Sequence, residues 1–145
     1  MSKIKQFEFS LEKVLRIKII EEDVIKSQLG KIQQEINKCK KNIEEMYIQK
    51  EKYYSLLRKQ VNVNEILQTR NYLNFYETKI KELEYHLKLL EQEFEECRFK
   101  LIKKKQKKET LEKLKEKEYK KFHQNHLKNE QKTLDEINNI FVKIK

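Results

Sequence analysis

Val61-Asn62-Val63-Asn64-Glu65 is the stretch on which the fold turns. Asparagine suits turns and helix N-caps, because its side-chain oxygen accepts the backbone N–H bonds left open where a helix starts. A glutamate suits the first turn that follows. The chain offers no comparable break elsewhere. It has no Pro and a single Gly, Gly30, so helix stops and tight turns are scarce and the elements must be long.

Upstream, Ile25, Leu29, Ile32, Ile36, Cys39, Ile43, Met46, Lys50, Tyr53 and Leu57 follow a 4-3-4-3 spacing in which Lys50 is the only polar member. A heptad sustained over that length marks a coiled-coil face. Further upstream, Phe7, Leu11, Val14, Leu15 and Ile17 continue an apolar face in a shifted phase, with Ser10 as a candidate cap and Lys13 where a capping box would want Glu or Gln. Downstream, a second heptad reads Leu73, Tyr76, Ile80, Leu83, Leu87, Leu90, Phe94, Cys97 and Leu101. It breaks in the run Lys103-Lys-Lys-Gln-Lys-Lys108. Helical spacing returns with Leu111, Leu114, Tyr119 and Phe122, and a last seam reads Leu127, Glu130, Leu134, Ile137, Phe141 and Ile144.

Two seams joined by a short turn make antiparallel neighbours. The predicted fold is all-α: one coiled-coil domain over residues 1–145, with helix 1 over about 7–60, a turn at about 61–64 and helix 2 over about 65–143. Facing residues then have numbers summing to about 126, which sets Phe7 opposite Tyr119 and Leu57 opposite Thr69. Helix 1 would be roughly 80 Å long and helix 2 roughly 120 Å. The last seam therefore overhangs with no partner in the chain. Such a stripe frays, pairs with a second copy, or docks on another protein.

Composition agrees with a thin seam. Charged residues make up 40% of the chain and hydrophobic ones 37%, too few for a thick core but enough for two helices. No apolar run approaches the roughly 18 residues of a membrane span, and the start of the chain carries charges where a signal peptide needs an apolar stretch. The expectation is a cytoplasmic protein. Cys39 and Cys97 both fall on seams, too far out of register to bridge, and lack metal-ligand spacing.

Net charge is +10, and much of it lies between Arg98 and Lys121, where 12 Lys/Arg face 4 Asp/Glu. The basic face, centred on Lys103, Lys104, Lys105, Lys107 and Lys108, suits an acidic protein surface. The alternative is a solvated face laced by Glu-Lys pairs at helical spacing. No nucleic-acid partner is expected, because no zinc motif, zipper basic region or RNA-binding signature accompanies the run. Near the turn, Tyr53 and Tyr76 are seam residues. Tyr54, Tyr72 and Phe75 lie beside the seams, as candidate partner contacts or as packing on wide flanks. His123, His126 and Glu130 share a helix face but lack a further ligand, so no metal site is expected. No catalytic constellation, cofactor loop or enclosed pocket is predicted, and the chain is not expected to be an enzyme.

The opening Phe7-Glu-Phe-Ser-Leu-Glu-Lys-Val-Leu-Arg-Ile-Lys18 resembles the start of the FliJ family, soluble components of the bacterial flagellar type III export apparatus. Leu111-Glu-Lys-Leu-Lys-Glu-Lys-Glu-Tyr-Lys-Lys-Phe122, continuing to Glu130-Gln-Lys-Thr-Leu-Asp-Glu-Ile137, is similar to that family's C-terminal signature. The resemblance implies a stalk that enters the hexameric export ATPase, promotes its assembly and ATP hydrolysis, and contacts the export gate membrane protein and export chaperones. It implies a place at the inner face of the cell membrane at the flagellar base, reached through partners only. On that reading Phe7, Leu11, Val14, Leu127, Leu134, Ile137 and Phe141 would contact the ATPase ring, and Tyr54, Tyr72 and Phe75 the gate or chaperones. The alternatives are a generic coiled-coil scaffold and the equivalent stalk of a virulence secretion system.

Overall fold

A computed structural model of the chain describes residues 6–144, the side chain of Ile144 excepted; that last seam position lies outside the described side chains. Two helices account for nearly all of it, α1 over Glu12–Lys59 and α2 over Val63–Ile144. They pack against each other as an all-α hairpin, with no strand among the described residues.

The fold-back falls at residues 60–62, slightly before the expected 61–64, and Val63 and Asn64 already belong to α2. Gln60 N–H donates to the Leu57 carbonyl at 3.3 Å and closes α1. Asn62 then caps α2: its carbonyl accepts from Ile66 N–H at 3.0 Å, and its side-chain oxygen accepts from Asn64 N–H at 2.8 Å and more loosely from Glu65 N–H. These bonds occupy donors that a helix start leaves open. Thr69 hydroxyl donates to the Gln60 side-chain oxygen at 2.8 Å, and Thr69 is buried. No described residue needs a left-handed backbone here, so the turn forms without glycine.

The chain divides into two packing units, one of residues 24–101 and the other of residues up to 23 with those from 102 on. The first unit holds the apolar seam. Ile36, Cys39 and Leu90 are buried at its centre, with Ile32, Ile43, Leu83, Leu87 and Phe94 packed around them. Tyr53 against Tyr72 and Lys50 against Glu77 keep close to the expected register. Each fully buried aliphatic side chain contributes about 1.5–3 kcal/mol. The two thiols are free, and both are buried. Cys39 Sγ lies 3.4 Å from the Leu83 carbonyl, and Cys97 Sγ 3.8 Å from that of Ile25. Burial pushes the Cys39 thiol up from its ordinary value.

The second unit has a different seam, and here three expectations change. Helix α1 begins at Glu12, not near Phe7. Glu12 N–H donates to the Phe9 carbonyl at 3.1 Å, and the first helical bond runs from Leu15 N–H to the Leu11 carbonyl at 2.9 Å; Ser10 lies in the turn before it. A helix would have set Phe7 and Phe9 on opposite faces. Outside the helix both pack inward: Phe9 is buried, and Phe7 lies 5.2 Å from Tyr119 and 5.6 Å from Phe122 between ring centroids.

The α1 seam also keeps its phase. Leu11, Leu15, Lys18 and Glu22 lead to Ile25 by the same 4-3 spacing, and all five are buried or half-buried. Val14 and Ile17 are exposed instead. The lysine run likewise does not break α2. Lys104, Lys108 and Lys115 hold half-buried seam positions between Leu101 and Phe122, while Leu114 is exposed and Tyr119, though exposed, keeps its edge contact with Phe7. Acidic residues of α1 make this possible. Lys104 Nζ lies 2.8 Å from Glu21, Lys108 Nζ 2.6 Å from Glu22 and Lys115 Nζ 2.9 Å from Glu12.

Candidate partner-binding surfaces

From His123 to Lys143 every side chain of α2 is exposed. The helix carries an apolar stripe there, with Leu127 51% exposed, Leu134 55%, Ile137 43% and Phe141 66%. A hydrophobic stripe of this kind on a single helix is stabilised only when another surface covers it. The stripe does not prolong the hairpin seam. Phe122 and Leu127 are five residues apart, which places them about 140° apart around the helix.

The other residues grouped with it by sequence divide. Phe7 and Leu11 are half-buried in the hairpin, so much of their surface is already used. Val14 is open to solvent, and so are Ile17 and Ile20, which sequence periodicity had assigned to a buried face or passed over.

The basic face is split by the seam. Lys104 and Lys108 point at Glu21 and Glu22, and only Lys103, Lys105 and Lys107 of the five are exposed. The Glu22 carboxylate beside it holds the Lys108 ammonium above its ordinary value, against the opposing pull of desolvation. Glu21 is lowered by its hydrogen bond from Lys104, and Glu12 by the Lys115 ammonium beside it. Two of the lysines counted as a partner surface are thus structural counter-ions. The signal that could have found them is the 3-4 spacing Leu101, Lys104, Lys108, Leu111, Lys115, which continues once polar residues are allowed on a seam.

Near the turn the aromatics form a stack. Tyr53 packs on Tyr72 at 5.1 Å and on Tyr76 at 5.6 Å, and Phe75 meets the Tyr76 edge at 5.4 Å. Tyr54 hydroxyl donates to Glu77 at 2.8 Å, and Tyr47 hydroxyl to Glu84 at 2.9 Å. Those hydrogen bonds to carboxylates push both phenols up. Lys50, the polar seam residue, reaches Glu77 at 3.6 Å and lies over the Tyr47 and Tyr54 rings. Of the three flank aromatics, Tyr54 is half-buried, Tyr72 is exposed but stacked, and Phe75 is the most open at 59%.

His126 Nε2 lies 3.1 Å from Glu130, while His123 stacks on Tyr119 and His126 on Phe122. No group of three or more His, Cys, Asp or Glu among the described residues could hold a metal ion. No helix among them is long and apolar enough to cross a membrane.

The geometry is that of a helical hairpin whose longer helix presents an uncovered apolar stripe, an arrangement suited to joining other proteins. No curated protein and no solved structure matches the chain. The family model described as "Flagellar FliJ protein" matches residues 7–142, nearly the whole of it. The chain belongs to the FliJ family, non-catalytic components of the flagellar protein-export apparatus.

Proposed function

We propose that this chain is the central stalk of the flagellar export ATPase, entering the hexameric ring by its open end and linking that ring to the export gate and export chaperones. The observation that carries the reading is the α2 stripe of Leu127, Leu134, Ile137 and Phe141, exposed on a helix that outruns its partner. A surface of that kind gains by entering a protein-lined channel, where about 25 cal/mol is recovered per Å² of apolar surface covered. Leu11 and Phe7, at the same end of the hairpin, would brace the base of the inserted helix. The exposed Lys103, Lys105 and Lys107 would face acidic surfaces of ring or gate, and Phe75 with its neighbours would meet the gate or a chaperone.

A lone stalk in a ring of six has a definite stoichiometry. Native mass spectrometry of the chain with the cognate export ATPase should give one chain per six subunits, together with faster ATP hydrolysis. Equimolar binding along the outside of the subunits, or no complex, would refute the stalk reading.

A further inference from the structure

The overhang stripe is interrupted at one seam position, and the residue there is Glu130. Within the hairpin, five charged seam residues are met from the facing helix, while Lys18 pairs with Glu21 on its own helix. Lys50 faces Glu77, Glu22 faces Lys108, and Lys104 and Lys115 face Glu21 and Glu12. A carboxylate enclosed without such a counter-ion is costly, because the lost hydration is not replaced. On its own helix Glu130 has His126 at 3.1 Å, which is a cation only when protonated.

A second copy of the chain fits this stripe poorly. Antiparallel pairing would set each Glu130 opposite Leu134 or Phe141, and the stripe supplies no Lys or Arg to meet it. Two carboxylates would be buried without a cation.

We propose that Glu130 sets the specificity of the overhang: the protein surface that covers Leu127 to Phe141 is apolar and carries an Arg or Lys that meets Glu130. This rests on the stalk reading, which names the export ATPase as that surface, and adds the chemistry by which it is recognised. An Arg is the better match, since its planar guanidinium pairs a carboxylate through two parallel hydrogen bonds.

The test uses the full chain and the cognate ATPase, comparing wild type with Glu130→Lys, Glu130→Gln and Leu134→Asp. Glu130 is exposed in the hairpin, so the two Glu130 variants keep the wild-type helical content and melting temperature. Glu130→Lys weakens binding by at least about tenfold, and Glu130→Gln by less, with a flatter salt dependence than wild type. If Leu134→Asp loses binding while Glu130→Lys binds as wild type, the counter-ion proposal is overturned and the stalk reading stands. If Leu134→Asp also binds as wild type, the overhang is not the docking element and both are overturned. A concentration-dependent dimer that Leu134→Asp abolishes would make a second copy the occupant and refute the proposal.

Discussion

Lys108 Nζ lies 2.6 Å from a carboxylate oxygen of Glu22, and Glu22 is the one described side chain that is fully buried. A carboxylate in that position has exchanged its hydration for an ammonium group, and the exchange holds only while both partners stay. Glu22→Ala is expected to lower the midpoint of thermal unfolding by an amount on the order of 5 °C. The double change Glu22→Leu with Lys108→Leu should restore or exceed wild-type stability, because two apolar groups at a seam need no counter-ion. Circular dichroism melts read both. A harmless Glu22→Ala would show that the pair is not part of the seam.

Stability should also depend on pH at both extremes. Glu12 and Glu21 are held below the ordinary 4.5 by the ammonium groups of Lys115 and Lys104 beside them. A lowered carboxyl contributes stability above its unfolded pKa and loses it as pH falls through the folded one, so this contribution fades below about pH 4.5. Lys108 is raised above the ordinary 10.5 by Glu22. Its contribution is complete below the unfolded pKa and is lost as pH rises through the folded one, above about pH 10.5. Amide exchange over residues 12–23 and 102–122 should therefore be steady from about pH 6 to 9, after correction for intrinsic rates, with protection falling in acid. Protection that survives acid unchanged would contradict the ion-paired seam.

The turn can be tested by a single side chain. Asn62→Ala removes the oxygen that accepts the Asn64 and Glu65 N–H groups and should cost about 1 kcal/mol. Asn62→Asp should cost far less, since it keeps an acceptor. Urea unfolding monitored by helicity separates the two. Equal stability of the Ala variant and wild type would mean that α2 does not start at this cap.

Phe75 is the tip residue whose loss should affect binding more than folding. It is 59% exposed and touches Tyr76 only by an edge contact. Phe75→Ala should change the melting temperature little while weakening the affinity for the export gate or chaperones about tenfold. Tyr54→Ala is a different case, because it also removes the bond to Glu77. Unchanged affinity in Phe75→Ala would return the tip aromatics to a packing role.

The apolar half of the hairpin is legible in the sequence because its seam is written in one alphabet. Ile36, Cys39, Leu90 and their neighbours are hydrophobic at unbroken 4-3 spacing, and their burial follows. Asn62 was legible for the same reason, as a residue whose chemistry suits a cap. The other half is written in two alphabets. Glu22 and Lys108 stand at seam positions where an apolar pattern shows only gaps, so apolar spacing alone predicts a phase shift in α1 and a break in α2 at the lysine run. Each residue alone reads as surface, and only a register that sets them face to face reveals a seam. Phe9 was hidden in another way. Its burial depends on the chain leaving the helix before Glu12, which no periodicity signals.

The central claim is that the free end of α2 is the working end. Truncation after His126 removes Leu127, Leu134, Ile137 and Phe141, all exposed, and leaves the hairpin contacts as they are. ATP hydrolysis by the cognate export ATPase should then be measured with the full chain and with the truncated one. The prediction is that the truncated chain stays helical and no longer stimulates hydrolysis. Full stimulation by the truncated chain would contradict it.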